Sequence, residues 1–475
     1  MTDFTPLFAP RSIAVLGASP SGSGPGNTYI RALRRYGYAG SIHPVHPSAT
    51  EVEGLRAWRS LGETPEPIDY AYIAIGAERV PEALLAGAGR VRFAQVMSSG
   101  FAEAAGGAAL QERLVAAARQ AGMRLLGPNC LGTHAPRGRV TFTTGVTAEA
   151  GSVGVLAQSG GLSLDLLRRG ERRGLRFSGL VTMGNCADLG PAELLEHFLA
   201  DPMTRVIGLY LEDVQDARAL FEVLRPGTKP VVLLKGGQTA EGQRAAASHT
   251  GSLASDHRLW QALARQTGTA LVETLDQFID ALLAFQQLTP RIASPLREVV
   301  LFGNGGGTSV LASDEFARRG FRLARFDAAV TAALAALKVP AGSSLANPID
   351  VPAVSLRAED GRIAERILAT VYGAAQPDAV VMHLNMPVLT SYADFDLLGR
   401  LIEAALAARG DHAGAGHFVL VLRSDGEPET EAKRHAYRTR ALAAGIPVFE
   451  EIPAAAGALA ALAAYEAWRH AQQED

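Results

Sequence analysis

Two cysteines in 475 residues, Cys130 and Cys186, are too few for a disulfide framework and, alone, for a structural zinc site. No stretch approaches the roughly 18 unbroken apolar residues of a membrane-spanning helix. The N-terminus, Met1 to Ser12, has neither the basic region nor the apolar run of a signal peptide. An excess of one charge is lacking too. Charged residues make up 20% of the chain and balance to −3, which offers no field for polyanions. Nucleic acid and anionic membrane are therefore not expected as partners, no metal site is expected, and the chain reads as cytoplasmic. The local cluster Arg168, Arg169, Arg172 and Arg173 reads as the solvated face of a helix, and no short-period repeat is present.

Hydrophobic residues, 48% of the chain, alternate instead between short β-branched runs and Ala/Leu/Arg-rich helical runs. That is the pattern of α/β domains with parallel sheets covered on both faces. The length suggests three domains, with expected boundaries 1–147, 148–293 and 294–475. Strands are expected at 12–16, 41–45, 70–75, 95–97 and 124–126 in the first domain. In the second they fall at 152–157, 179–182, 206–211, 231–234 and 270–272, and in the third at 299–302, 379–382 and 418–422. The polar, proline-bearing stretch Thr289 to Pro295 reads as a linker, and the Ala-rich helix after Pro453 as packing.

Three glycine-rich turns follow strands. The first, Gly17-Ala18-Ser19 through Gly22, Gly24 and Gly26, suits an anion that approaches the backbone at a helix N-terminus. An NAD site would want a carboxylate at the end of the second strand. That strand ends Val45-His46-Pro47-Ser48, which weighs against a dehydrogenase. The second turn, Gln158-Ser159-Gly160-Gly161, reads either as a compact phosphate cradle or as a structural turn. The third, Gly303 to Thr308, reads as structural or docking. A further candidate is His249, on a small stretch bounded by Gly242 and Gly251 that reads as a loop. Imidazole is nucleophilic near neutral pH and accepts a phosphoryl group, though a capping histidine fits the same residues. Glu212, closing the strand 206–211, is placed either to hold one imidazole nitrogen or to cap the next helix.

Taken in order, these strings resemble the NDP-forming acyl-CoA synthetases, relatives of succinyl-CoA synthetase. The set continues through Ser98-Ser99-Gly100-Phe101-Ala102-Glu103, Gly127-Pro128-Asn129-Cys130-Leu131-Gly132, Gly184-Asn185-Cys186-Ala187-Asp188, Ser248-His249-Thr250-Gly251-Ser252-Leu253-Ala254 and Asn347-Pro348-Ile349-Asp350. The resemblance implies a Rossmann-like CoA-binding domain followed by two flavodoxin-like ligase domains. It implies His249 as the phosphohistidine, Glu212 as its orienting carboxylate, and Ser159, Gly160 and Gly161 as a phosphate-binding helix end. Coenzyme A would lie along Gly17, Ala18, Ser19, Gly22, Gly24, Val45, His46, Pro47, Ser48, Ile75, Gly76, Ser99 and Gly100. The acyl carboxylate would sit near Asn129, Gly184 and Asn185. Relatives commonly carry Asn-Pro-Lys where this chain has His46-Pro47-Ser48, so a cationic contact to CoA is missing there. No segment resembles an ATP-grasp domain or a Walker loop. The expected partner is therefore a separate ATP-grasp β-type subunit that handles ATP and magnesium, with a carboxylic acid and CoA as the small substrates. A CoA-responsive regulatory module is the alternative.

Overall fold

Strands buried on both faces, such as the fully buried run Ser12–Leu16, need helices above and below them, and the chain supplies these by alternation. The computed structural model describes residues 2–250, 256–392, 394–412 and 414–474, without the side chains of residues 246–250. It divides into two units, Met1–Leu275 and Asp276–Asp475.

The first unit holds two parallel sheets. One contains β1 (Ser12–Leu16), β2 (Ser41–Val45), β5 (Ile68–Ile73), β6 (Val91–Val96) and β7 (Arg124–Leu126), in the order β2-β1-β5-β6-β7. A two-stranded ribbon, β3 (Glu51–Val52) with β4 (Leu55–Arg56), stands beside it. The other contains β8 (Thr133–His134), β9 (Val153–Ala157), β10 (Phe177–Thr182), β11 (Val206–Leu211), β12 (Val231–Lys235) and β13 (Ala270–Val272), in the order β13-β12-β11-β9-β10-β8. Only β8 runs antiparallel in it.

The second unit has β14 (Glu298–Gly303), β15 (Arg322–Leu323), β16 (Ile349–Asp350), β17 (Ala379–Asn385), β18 (His417–Arg423) and β19 (Val448–Phe449). Their order is β15-β14-β17-β18-β19, with β16 paired to β14. Leaving out the shortest additions, all three sheets share the doubly wound order 2-1-3-4-5. Such sheets take ligands outside the carboxyl ends of the strands, at the crevice where the order reverses. That crevice lies between β1 and β5, between β9 and β11, and between β14 and β17.

Two readings from sequence need correction. Residues 240–250 form a helix, so His249 lies in a last helical turn rather than a loop; the Ala245–Ala247 run favours helix over turn. The side chain of His249 and residues 251–255 lie outside the described residues. The stretch Thr289 to Pro295 is no loose tether either. The amides of Arg291 and Leu296 donate to the buried Glu466 carboxylate at 2.7 and 2.8 Å. His417 Nε2 pairs with the same group at 2.8 Å. Among the described residues no helix is long and apolar enough to cross a membrane.

Candidate functional site

The turn after β1 can form only with glycine. Gly17 has φ +93°, and a Cβ there would lie 2.1 Å from the Ala74 carbonyl oxygen. A Cβ on Gly24 would lie 2.5 Å from Gly17 O, and one on Gly26 2.5 Å from Ala18 N. Buried Asn27 holds the turn open from beneath. Its Oδ1 accepts the amides of Ser19 and Gly24 at 2.9 and 3.1 Å, and its Nδ2 donates to Ser19 O and Glu53. The helix Pro25–Tyr36 starts there, with proline in its first turn and no side-chain cap at Gly24. The result is a cradle of backbone at a helix N-terminus, the shape a diphosphate takes. Coenzyme A, whose diphosphate needs such a seat, fits these residues.

The other positions expected to hold CoA stand around the same carboxyl edge. Val45 closes β2, and His46 Nδ1 accepts the amides of Ser48 and Ala49 at 3.3 and 2.9 Å, with Pro47 exposed between them. Ile75 and Gly76 follow β5, and Ser98 Oγ donates to Ile75 O. Gly100 has φ +106°, and its amide donates to Glu103 Oε1 at 2.6 Å. Glu103 also accepts from Asn185 Nδ2, which donates to Gln111 Oε1 as well. Burial raises the Glu103 pKa, but the Asn185 and backbone donors outweigh it and hold the carboxyl below its ordinary value.

The two domains of this unit meet backbone to backbone. A Cβ on Gly184, φ +54°, would lie 2.1 Å from Pro128 O and 2.5 Å from Asn129 O. Asn185 N donates to Pro128 O at 3.0 Å. A cleft of about 400 Å3 opens beside this seam, lined by Ser99 and Asn129 from one domain and Ser159, Gly160 and Gly161 from the other. Gly184 and Asn185 line a second cleft, of about 360 Å3, and Gln158 lines both. Ser159 caps the helix Gly160–Arg173, its Oγ accepting Leu162 N at 3.3 Å. The first-turn amides of that helix have no carbonyl one turn back, so they and the helix dipole suit a phosphoryl group.

Gln158 went without a role in the sequence, and its contacts assign one. Its Oε1 accepts the amides of Glu212 and Asp213 at 2.5 and 3.1 Å, and its Nε2 donates to Asp213 O at 2.8 Å. Glu212 is thereby fixed at the end of β11. Its carboxylate accepts from Tyr210 Oη at 3.1 Å, and its carbonyl accepts from buried Lys235 Nζ at 2.7 Å. Burial lowers the Lys235 pKa, while Asp213 and Glu212 oppose the shift. Burial pushes the Cys130 thiol up to about 12 and that of Cys186 to about 11, away from the thiolate form that reacts. The structure thus gathers Ser99, Asn129, Ser159, Gly160 and Gly161 in one cleft, Gly184 and Asn185 in the next, and Glu212 one hydrogen bond from Gln158. Missed from sequence were Gln111 and Lys235, together with Gln158 and Glu103, which were quoted but given no task. All four act through contacts distant in sequence.

Residues 11–136 match a CoA binding domain, and residues 150–285 a succinyl-CoA ligase-like flavodoxin domain. The chain is 31% identical over 477 residues to acetate–CoA ligase [ADP-forming] I subunit alpha of Pyrococcus furiosus, covering 98% of this chain and 99% of that one. It is 34% identical over 358 residues to acetate–CoA ligase [ADP-forming] II subunit alpha of the same organism, covering 74% and 77%. Against acetate–CoA ligase [ADP-forming] I of Archaeoglobus fulgidus it is 36% identical over 350 residues, 73% of this chain, and spans 50% of that relative's length. Among solved structures, the dinucleotide-forming acetyl-coenzyme A synthetase 1 of Ca. Korarchaeum cryptofilum superimposes with TM-score 0.84 at 28% identity, covering 99% of each chain.

Proposed function

Since this chain belongs to the NDP-forming acyl-CoA synthetases, acid–thiol ligases that bind coenzyme A, we propose that it is an α-type subunit joining a carboxylic acid to CoA through a phosphohistidine at His249 and an acyl phosphate. ATP and magnesium are handled by a separate ATP-grasp β-type subunit. Supporting that division, the chain spans nearly all of a relative named as subunit alpha and half of one named without a subunit.

The observation that carries the reading is the cleft where Asn129 and Ser99 face the capped helix end at Ser159, Gly160 and Gly161. A nitrogen of His249 attacks the γ-phosphorus of ATP, and ADP leaves. The acid's carboxylate oxygen then attacks that phosphorus, the N–P bond breaks, and acyl phosphate forms while the imidazole is restored. The thiol sulfur attacks the acyl carbon; inorganic phosphate leaves, and the thiol proton passes to phosphate or solvent. Glu212, steadied by Gln158 and Tyr210, orients the imidazole. The first-turn amides at Gly160 and Gly161 stabilise charge on the moving phosphoryl group, and Asn129, Gly184 and Asn185 receive the acid. Positioning and fixed dipoles are the main demands of such chemistry.

The test is ADP release that depends on both acid and CoA, measured with an ATP-grasp partner. His249→Ala should lower turnover at least about 1,000-fold, with the CoA dissociation constant within about twofold of wild type. Retained turnover in that variant overturns the mechanism. A wild-type chain that binds CoA yet turns over no acid with its partner is the regulatory module instead.

A further inference from the structure

The residues at the end of β2 carry no cation to meet the ribose phosphate of CoA. Dinucleotide-binding sheets of the related order 3-2-1-4-5-6 read the ribose with a carboxylate for a free diol and an arginine for a phosphate, and the same demand applies to the ribose phosphate of CoA beside β2. Here Ser48 is neutral, and His46 Nδ1 is turned back on the amides of its own loop. Arg31 and Arg34 stand near but are engaged: Arg31 by the Glu53 carboxylate and Gly22 O, Arg34 by Glu53 O.

The chain returns to this edge ten residues later. Trp58 lies parallel to the end of β2: its amide donates to Pro44 O at 2.9 Å, and His46 N donates to Trp58 O at 2.8 Å. Over its ring sits Arg56, with Cζ 4.2 Å from the centroid. Arg56 is exposed and forms no ion pair with any described residue, although Glu51 stands opposite it in the ribbon. The same excursion is tied to the phosphate cradle through Glu53, which Asn27 and Arg31 bond at its base. A guanidinium held over an indole is restrained by the ring while its planar fork of donors stays available, an arrangement that suits phosphate.

We propose that Arg56, held on Trp58, binds the 3′-phosphate of CoA and supplies the cation that the His46-Pro47-Ser48 turn lacks. The inference rests on the cradle at Gly17 to Gly26 holding CoA, and it goes beyond it by naming the residue that tells CoA from its dephosphorylated form.

Calorimetric titration of the full chain with CoA and with 3′-dephospho-CoA tests it. Wild type should prefer CoA by about tenfold, the range of one charge-assisted hydrogen-bonded contact. Arg56→Gln should weaken CoA about tenfold, leave dephospho-CoA within about twofold, and so erase the preference. Arg56→Lys should restore part of it, since the charge remains without the fork. Trp58→Leu should fall between wild type and Arg56→Gln, for CoA alone. A preference that survives Arg56→Gln, or equal weakening of both ligands, overturns the proposal. Wild-type protein that binds neither compound would instead overturn the reading of the cradle itself.

Discussion

Three sheets of one topology open the same crevice between their first and third strands, and the chain treats those crevices in two ways. At β1 and β5 the crossing residue is Gly17, which has no side chain and could not carry one against Ala74 O. At β9 and β11 it is Gln158, whose amide bonds the backbone of Glu212 and Asp213. At β14 and β17 it is Asn304, which accepts Asn385 N at 2.8 Å and donates to Asn385 O at 3.4 Å. One crevice is left open by glycine, and two are stapled by a primary amide that satisfies donor and acceptor together. An open crevice admits a long nucleotide across the sheet edge. A stapled one is bridged by that side chain, with a helix starting directly after it, at Gly160 in one case and Gly306 in the other.

The sharpest way to break this contrast is to close the open crevice. Gly17→Ala drives a Cβ into Ala74 O and forces a side chain to φ +93°. CoA affinity should fall at least about 100-fold, with a stability loss of about 2 kcal/mol or more read by denaturant titration. Opening a stapled crevice should cost less in binding and more in chemistry. Gln158→Leu leaves two amides and a carbonyl without their partner, for about 2–4 kcal/mol of stability. It should lower kcat about 10- to 100-fold through a displaced Glu212, with the CoA dissociation constant nearly unchanged. Asn304→Leu, which removes one good and one long hydrogen bond, should cost about 1–3 kcal/mol.

Acid offers a comparison between the two units. Each contains a buried histidine whose pKa burial lowers to about 4, His134 in the first and His383 in the second. For His383 the Arg423 charge adds to the shift. The unfolded chain takes up these protons near the ordinary histidine value of about 6.5, whereas the folded chain does so only near 4. The unfolded state therefore binds more protons between those limits, and stability is lost as pH falls from about 6.5 to about 4. Each residue contributes on the order of 3 kcal/mol to that slope. His134→Gln and His383→Gln should each flatten it, as read from urea midpoints across that range. The smallest effect belongs to Gly161→Ala. Nothing stands within 4 Å of the added methyl, so stability should change by less than about 1 kcal/mol.

Much of this architecture is legible in the sequence because local pattern decides it. The apolar runs at 206–211 and 270–272, and the shorter mixed runs at 41–45 and 124–126, form strands over those same residues. Helix ends were harder to place. The helix Gly160–Arg173 takes its bounds from Ser159, which caps it, and from Gly174, whose left-handed conformation ends it. Two-residue strands such as Thr133–His134 and Val448–Phe449 were not read, because pairing with a neighbouring strand, and not their own pattern, makes them strands. In the candidate site, glycines and caps showed themselves through spacing. The tasks of the amide Gln158 and the carboxylate Glu103 did not, because the partners Glu212 and Asn185 lie 54 and 82 residues away and only the fold brings them together.

The most direct test of the central claim is transfer of label from γ-labelled ATP to the purified chain, alone and with an ATP-grasp subunit. The account predicts acid-labile, alkali-stable label that requires the partner, is absent in His249→Ala, and is discharged by a carboxylic acid with CoA. Label that persists in His249→Ala, or no label from partnered protein that still binds CoA, would contradict it.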